Sequence, residues 1–206
     1  MDSRRIRNVH ASALLAALLC MPATSSAAFD YDEAVDGDLS NDGLNPTVLP
    51  PTEGVNTLAA SSVAGDLDYF TFGVLSGFKL DAIVLTSFDS TDDLAFAAVQ
   101  SGTTFTEPPV GTDPANLLGW VHFGTALVGT DILDDMGLGD GAIGFTPPLP
   151  RGFYSFWIQQ TGPEVVGYEM QFIFAATPVP PALYLLGSGL LALGSCTRGR
   201  LRNGKT

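Results

Sequence analysis

The sequence predicts an all-β protein, an antiparallel β-sandwich flanked by an N-terminal signal-peptide helix and a C-terminal transmembrane helix. Between Phe29 and Thr177, short runs that alternate apolar and polar residues are separated by turn-forming residues. The chain has 23 Gly and 14 Pro in 206 residues, which favours strands and loops over long helices. An apolar run without charges lies near each end, outside this pattern.

Residues 1–28 have the composition of a secretory signal peptide. Three arginines lie within the first seven residues, and an apolar run follows at 11–21. Small residues end the segment, so we expect signal peptidase to cut after Ala28. The alternative is a signal anchor that stays attached.

The mature chain, residues 29–177, begins with an acidic lead-in rich in turn residues, followed by strand candidates. The candidates lie at 65–74, 78–88, 94–100 and 117–123. Residues 103–117 are predicted to be a loop, and residues 131–141 to hold at most a short helix.

The strongest strand pattern comes last in the domain. Tyr154, Phe156 and Ile158 alternate with more polar neighbours, and the same alternation recurs between 168 and 174. Gly162 and Pro163 lie between the two runs, which predicts an antiparallel pair joined by a short loop.

The mature domain is strongly acidic and lacks cysteine. Between Phe29 and Thr177 there are 21 Asp and Glu against Lys79 and Arg151, a net charge of −19. This charge argues against nucleic acid as a partner, suits solubility outside the cell and could attract cations. Cys20 and Cys196 lie in the tails, so the core alone must stabilise the domain.

Residues 178–206 contain three parts in a fixed order. A proline cluster at 178–181 precedes an apolar run at about 182–197, which is followed by a basic tail at 198–206. The 16 apolar residues would span about 24 Å as a helix, close to the thickness of a bilayer core. The basic tail would remain cytoplasmic. The alternative is a buried C-terminal helix of a soluble domain.

This order resembles the PEP-CTERM sorting signal of Gram-negative bacteria. The family's Glu between the prolines is Val179 here, as in the VPxP variants of the signal. The resemblance implies an exosortase, a membrane-embedded cysteine transpeptidase, as partner. It also implies a transient inner-membrane anchor and transfer to the cell surface or extracellular matrix. The residues that would be recognised are Pro178, Val179, Pro180, Arg198, Arg200 and Arg202.

The middle of the chain resembles the bacterial pre-peptidase C-terminal-type domain. The resemblance rests on GDLSNDGLNPT, GVNTL, DLDYFTF and a closing GFYSFW…GYEMQF, with a D-x-D-x-F pattern at Asp66, Asp68 and Phe70. It implies a small jelly-roll β-sandwich of a secreted protein.

A calcium site is one hypothesis for the acidic residues. Residues 38–43 (DLSNDG) open like a calcium loop, but Leu49 stands where an EF-hand has Glu. A site formed with carboxylates from elsewhere remains a hypothesis, and the alternative is an acidic turn that bonds its own backbone. The candidate ligands are Asp36, Asp38, Asp42, Asp66 and Asp68.

Aromatic residues and the single mature-chain histidine define the remaining candidates. Trp157 and Trp120 could stack on sugar rings if they face outward; the alternative is a second buried layer. His122 lies in an apolar strand pattern, which favours a structural role. We therefore expect a non-enzymatic exported protein without a cofactor other than calcium. The alternative is a secreted carbohydrate-binding module that contacts extracellular polysaccharide.

Overall fold

Nine strands form two sheets in the computed structural model, which describes residues 28–178. The strands are β1 (Asp30–Asp32), β2 (Thr47–Val48), β3 (Gly54–Ser62), β4 (Leu67–Val74), β5 (Phe78–Asp89), β6 (Ala95–Ser101), β7 (Gly119–Phe123), β8 (Gly152–Gln160) and β9 (Val166–Ala176). One sheet has the order β1-β3-β9-β5, and the other has the order β2-β4-β8-β6-β7. The connections contain helices α1 (Glu33–Asp36) and α2 (Ile132–Gly137) and 3₁₀ turns at Pro114–Asn116 and Thr125–Leu127.

The core lies between the two sheets because alternate residues of each strand point inward. In β4, Phe70, Phe72 and Val74 are buried on this face. The ring of Phe172 on β9 meets that of Phe70 edge-on, with centroids 5.7 Å apart. This confirms the prediction of an all-β sandwich.

The pairing is mixed rather than wholly antiparallel. β1 runs parallel to β3 and β2 runs parallel to β4, whereas the longer neighbours are antiparallel. Both parallel strands belong to the lead-in and lie at sheet edges, where two or three residues suffice to pair. The expectation of a purely antiparallel sandwich is therefore wrong at two edges.

The predicted pairing of the last two strands is also wrong. β8 pairs with β4 and β6, whereas β9 pairs with β3 and β5 in the other sheet. Their aromatic faces meet across the sandwich, as in the edge-on contact of Phe156 with Phe172 at 5.9 Å. Alternation identifies the buried face of a strand but leaves its neighbour undetermined.

The lead-in contains more regular structure than its turn residues predict. It forms β1, α1, β2 and the nine-residue β3, whose sequence GVNTLAASS has few of the bulky residues that mark strands. The other four strand candidates correspond to β4, β5, β6 and β7, and α2 is the short helix expected within 131–141.

No helix within residues 28–178 has the length and apolar character needed to cross a membrane. The predicted span at 182–197 and the signal peptide before Ala28 lie outside the described residues.

Candidate metal centre

Glu33 joins the lead-in to the end of β3. It is the first residue of α1, whose N-cap Asp32 accepts a hydrogen bond from the backbone of Ala34 at 2.9 Å. The Glu33 carboxylate accepts a bond from the Ser61 amide at 2.8 Å and another from the Leu39 amide at 3.0 Å. The side chain is thereby fixed between β3 and the segment after α1.

Asp68 occupies an inward-facing position of β4 and is solvent-inaccessible. Its Oδ2 accepts a hydrogen bond from the Tyr168 hydroxyl of β9 at 2.7 Å. This bond crosses from one sheet to the other. The second oxygen, Oδ1, has no hydrogen-bond partner among residues 28–178. A buried carboxylate oxygen without a partner is costly unless the group is protonated or binds a ligand.

Three carboxyl groups converge at this end of the sandwich. One oxygen each from Glu33, Asp38 and Asp68 lies within 4.8 Å of the other two. A groove of about 330 Å³ lies beside the cluster and is lined in part by Glu33 and Tyr168, whereas Asp38 and Asp68 do not line it.

The electrostatics of the cluster favour a cation. Burial, with smaller contributions from the charges of Glu33, Asp66 and Asp38, raises the pKa of Asp68 to about 8. The hydrogen bond from Tyr168 offsets part of that rise. Burial also raises the pKa of Glu33, with smaller contributions from Asp38 and Asp66. Like charges close together disfavour ionisation, and a bound cation would reverse this effect.

The structure brings together two of the five predicted calcium ligands, Asp38 and Asp68. Asp66 contributes charge to the cluster, but its carboxylate is not one of the three that converge. The two remaining candidates are engaged locally, as the acidic-turn alternative predicts. Asp36 accepts a bond from the Asp32 amide, and Asp42 accepts bonds from Leu44 and Asn45.

Glu33 is the candidate ligand that sequence reasoning missed. It lies 35 positions before Asp68, in a stretch predicted to be turns, and no local spacing links the two. For Asp68 the sequence does carry a signal of burial, because Asp68 faces the same side of β4 as the buried Phe70 and Phe72. An acid at an inward position of a strand predicts a buried carboxylate.

Trp157 is 1% exposed, so the prediction that it offers a face to sugars is wrong. It belongs to a second buried cluster on the outer face of the five-stranded sheet, with Tyr69, Ala98, Phe105 and Leu117. Residues of the 103–117 loop cover this face, as the alternative of a second buried layer predicts.

Trp120 is half-buried on the outer face of β7, and its indole nitrogen donates to the Asp140 carbonyl at 3.0 Å. Its ring packs with those of Phe96 and His122, at centroid distances of 6.0 and 5.6 Å. His122 is exposed and makes no side-chain hydrogen bond to residues 28–178.

Of the predicted sorting residues, the structure describes Pro178 alone. It is exposed and follows Thr177, whose amide donates to the Gly77 carbonyl at 2.7 Å. Val179, Pro180, Arg198, Arg200 and Arg202 lie outside the described residues. Comparisons of the chain with protein-family models, curated proteins and solved structures gave no match.

Proposed function

We propose that this chain is a non-enzymatic exported protein that an exosortase-type transpeptidase sorts to the cell surface or extracellular matrix. The signal-peptide pattern of residues 1–28 and the ordered Pro-x-Pro, apolar and basic parts after Thr177 support the proposal. The position of β9 supports it as well. β9 ends at Ala176, so the motif begins two residues after the folded domain, at an exposed proline.

The β-sandwich of this exported protein binds a calcium ion at Glu33, Asp38 and Asp68. The observation that carries this assignment is the buried Asp68 Oδ1, which has no partner and lies in a cluster with two further carboxyl groups. A divalent ion there would occupy the free lone pairs and neutralise the mutual repulsion of the carboxylates.

The ligand chemistry favours calcium over zinc. All three converging groups are carboxylates, the domain has no cysteine, and His122 lies on the outer face of the five-stranded sheet, away from the cluster. Hard oxygen ligands suit calcium, which tolerates irregular coordination completed by carbonyls and water. Calcium sites of extracellular modules bind in the millimolar to submillimolar range, which matches the proposed location.

The role of this ion is structural. Glu33 lies in the lead-in, Asp68 belongs to the five-stranded sheet, and Tyr168, bonded to Asp68, belongs to the four-stranded sheet. An ion at this point therefore links three parts of the fold. Because the folded state alone forms the site, binding adds to the free energy of unfolding.

Calcium titration of the purified protein tests the site. We expect the melting temperature to rise with millimolar calcium and the rise to disappear in Asp68→Asn. Asp134→Asn is the matched control, because Asp134 is exposed on α2 and outside the cluster. Equal calcium shifts in the two variants, or no shift in the unsubstituted protein, would overturn the assignment.

Mass spectrometry of the native surface form tests sorting separately. We expect a new C-terminus within about residues 178–182 and an N-terminus at Phe29. A mature surface protein that still ends at Thr206 would contradict the proposal.

A carbohydrate-binding module is the second candidate. The half-buried Trp120 and Phe96 lie beside the exposed His122 on one sheet face, and such an aromatic surface suits a sugar ring. Retention on polysaccharide that is lost in Trp120→Ala but kept in Leu138→Ala would favour it. Leu138 is 81% exposed and serves as an apolar surface control.

A further inference from the structure

The folded domain releases its C-terminal segment at one defined end of the sandwich. Ala176, the last residue of β9, pairs with Phe78 at the start of β5. The next amide, that of Thr177, bonds to Gly77 in the turn between β4 and β5. The β4–β5 turn and the beginning of β8 therefore surround the exit, because Gly152 pairs with Val74.

An exposed apolar pair marks this end. Leu75 is 61% exposed and Phe153 is 58% exposed. Phe153 is the one exposed aromatic residue within 28–178. Its ring lies over Gly73, where an added Cβ would meet the ring carbon at 2.9 Å, so a glycine makes room for it. Phe153 and Leu75 together form an apolar patch at the exit.

Both basic residues of the domain lie at the same end. Arg151 lines a groove of about 320 Å³ together with Leu75 and Phe153. Lys79 pairs across the ladder with Ala175 and forms an ion pair with Asp81 at 2.6 Å. Arg151 forms no ion pair with any residue of 28–178, which leaves it available to an anion. Glu53, next to the start of β3, is a second carboxylate at this end.

The length of the following segment limits how far this end can lie from the predicted membrane span. The apolar run begins at Ala182, four positions after Pro178, and this stretch reaches at most about 14 Å. The exit end must therefore lie within about 14 Å of the start of the span while the span is inserted. The acidic cluster lies at the other end, because Tyr168 is nine residues before Thr177, about 30 Å along β9.

We propose that the surface formed by Leu75, Arg151 and Phe153 contacts the anionic phospholipid surface, with Phe153 at the interface and Arg151 on a lipid phosphate. This inference rests on the proposed membrane-inserted tail. Aromatic rings and arginines are favoured at the bilayer interface, and arginine binds phosphate oxygens well. The rest of the domain, with its large excess of carboxylates, is repelled by anionic lipid, so the contact fixes the orientation of the domain. It also holds the Pro178 motif at the membrane, where a membrane-embedded enzyme can reach it.

Tryptophan quenching by brominated lipid tests the contact. The full chain is exported in a host without the sorting enzyme, extracted from membranes and reconstituted into phosphatidylethanolamine–phosphatidylglycerol vesicles that contain the quencher. Phe153→Trp is compared with Val165→Trp, whose site is equally exposed at 58% and lies in the β8–β9 loop at the far end. The unsubstituted chain supplies the baseline from Trp120 and Trp157.

Phe153→Trp and Val165→Trp each add tryptophan emission to the baseline. In these vesicles we expect the emission added by Phe153→Trp to be largely quenched and that added by Val165→Trp to be retained. Adding Arg151→Gln, or replacing the lipid with phosphatidylcholine, is expected to restore the Phe153→Trp emission. If Phe153→Trp unfolds the domain, Leu75→Trp provides a second reporter on the same surface. Equal quenching at both ends of a membrane-retained chain would overturn the contact alone. A chain removed from membranes by alkaline carbonate would overturn the inserted tail and, with it, the contact.

Discussion

At the scale of single residues, Asp68 determines how the domain responds to its environment. The buried Asp68 carboxyl group accepts one hydrogen bond, and its second oxygen has no partner among residues 28–178. Such a group is stable as a neutral acid or as a metal ligand, but not as a free anion. Tyr168 cannot supply a charge, because burial and the neighbouring Asp68 raise its pKa well above the ordinary value. The state of this one group therefore couples proton binding to folding, and the proposed cation would be coupled to folding through the same group.

The first prediction concerns pH. The pKa of Asp68 is about 8 in the fold against 3.8 unperturbed. Without calcium, the contribution of the protonated Asp68 to the free energy of unfolding is therefore fully present below about pH 4. It is lost as pH rises to about 8, because the unfolded chain then binds fewer protons than the fold. We expect the apo melting temperature to fall over this window, because the free energy of unfolding decreases by up to about 1.4 kcal/mol per pH unit. Thermal melts at fixed ionic strength with a chelator measure it.

Asp68→Asn is expected to remove this part of the pH dependence, and calcium is expected to oppose it in the unsubstituted protein, because the ion binds the deprotonated form. An apo melting temperature that increases steadily from pH 5 to pH 8 would contradict this account of Asp68.

Sequence reasoning identified part of this site for a physical reason. Asp38 and Asp68 lie in segments whose acids stand out by local composition, and strand parity places Asp68 inside. Glu33 reaches the cluster because α1 is held against β3 by the Ser61 amide, a contact across 28 positions. Contacts of that range depend on how strands are ordered, which alternation patterns do not specify.

At the scale of elements, bulky residues decided what the sequence could predict. The strands rich in Phe, Tyr and Ile, such as β4 and β8, follow from their alternation. β3 escaped prediction because Ala and Ser fill it, although it pairs with β9 over nine residues. The chain passes from the five-stranded sheet to the four-stranded sheet between β8 and β9. The sequence did not predict this crossover, because a short loop can form either a hairpin or a connection between sheets.

The second prediction concerns the packing of α2 against β7. A Cβ at Gly119 would meet the Phe145 ring at 2.7 Å and also the Met136 carbonyl of α2. We expect Gly119→Ala to lower the free energy of unfolding by about 1–3 kcal/mol, since backbone must move to admit a methyl group. Urea denaturation measures the change.

Gly167→Ala in β9 is the matched control, because its Cβ would approach nothing closer than 3.9 Å. We expect it to be neutral within about 0.5 kcal/mol. Equal losses in the two variants would show that the close approach of α2 does not determine the cost.

At the scale of the whole molecule, charge is unevenly distributed. Within residues 28–178, Lys79 and Arg151 lie at the exit end, and the acidic cluster lies at the other end. The lead-in attaches to that acidic end through Glu33, so the proposed ion would secure the first part of the mature chain to the rest of the sandwich.

The third prediction follows from this attachment. On calcium removal we expect faster amide hydrogen exchange in the lead-in around residues 30–39 and at Ser61, and little change in the central part of β8. Local opening costs less free energy than global unfolding. Loss of the ion should therefore first increase exchange in the region that the ion secures. Exchange that rises uniformly over both sheets would instead indicate global destabilisation.

The position of β9 has a mechanical consequence. β9 is the last strand before the tail, yet it lies inside its sheet, with ladders to β3 on one side and β5 on the other. A force transmitted through the C-terminus acts along this strand, perpendicular to its hydrogen bonds, and loads both ladders in shear rather than opening them one bond at a time. A protein tethered by its C-terminus in flowing liquid would thus be held by its most resistant strand.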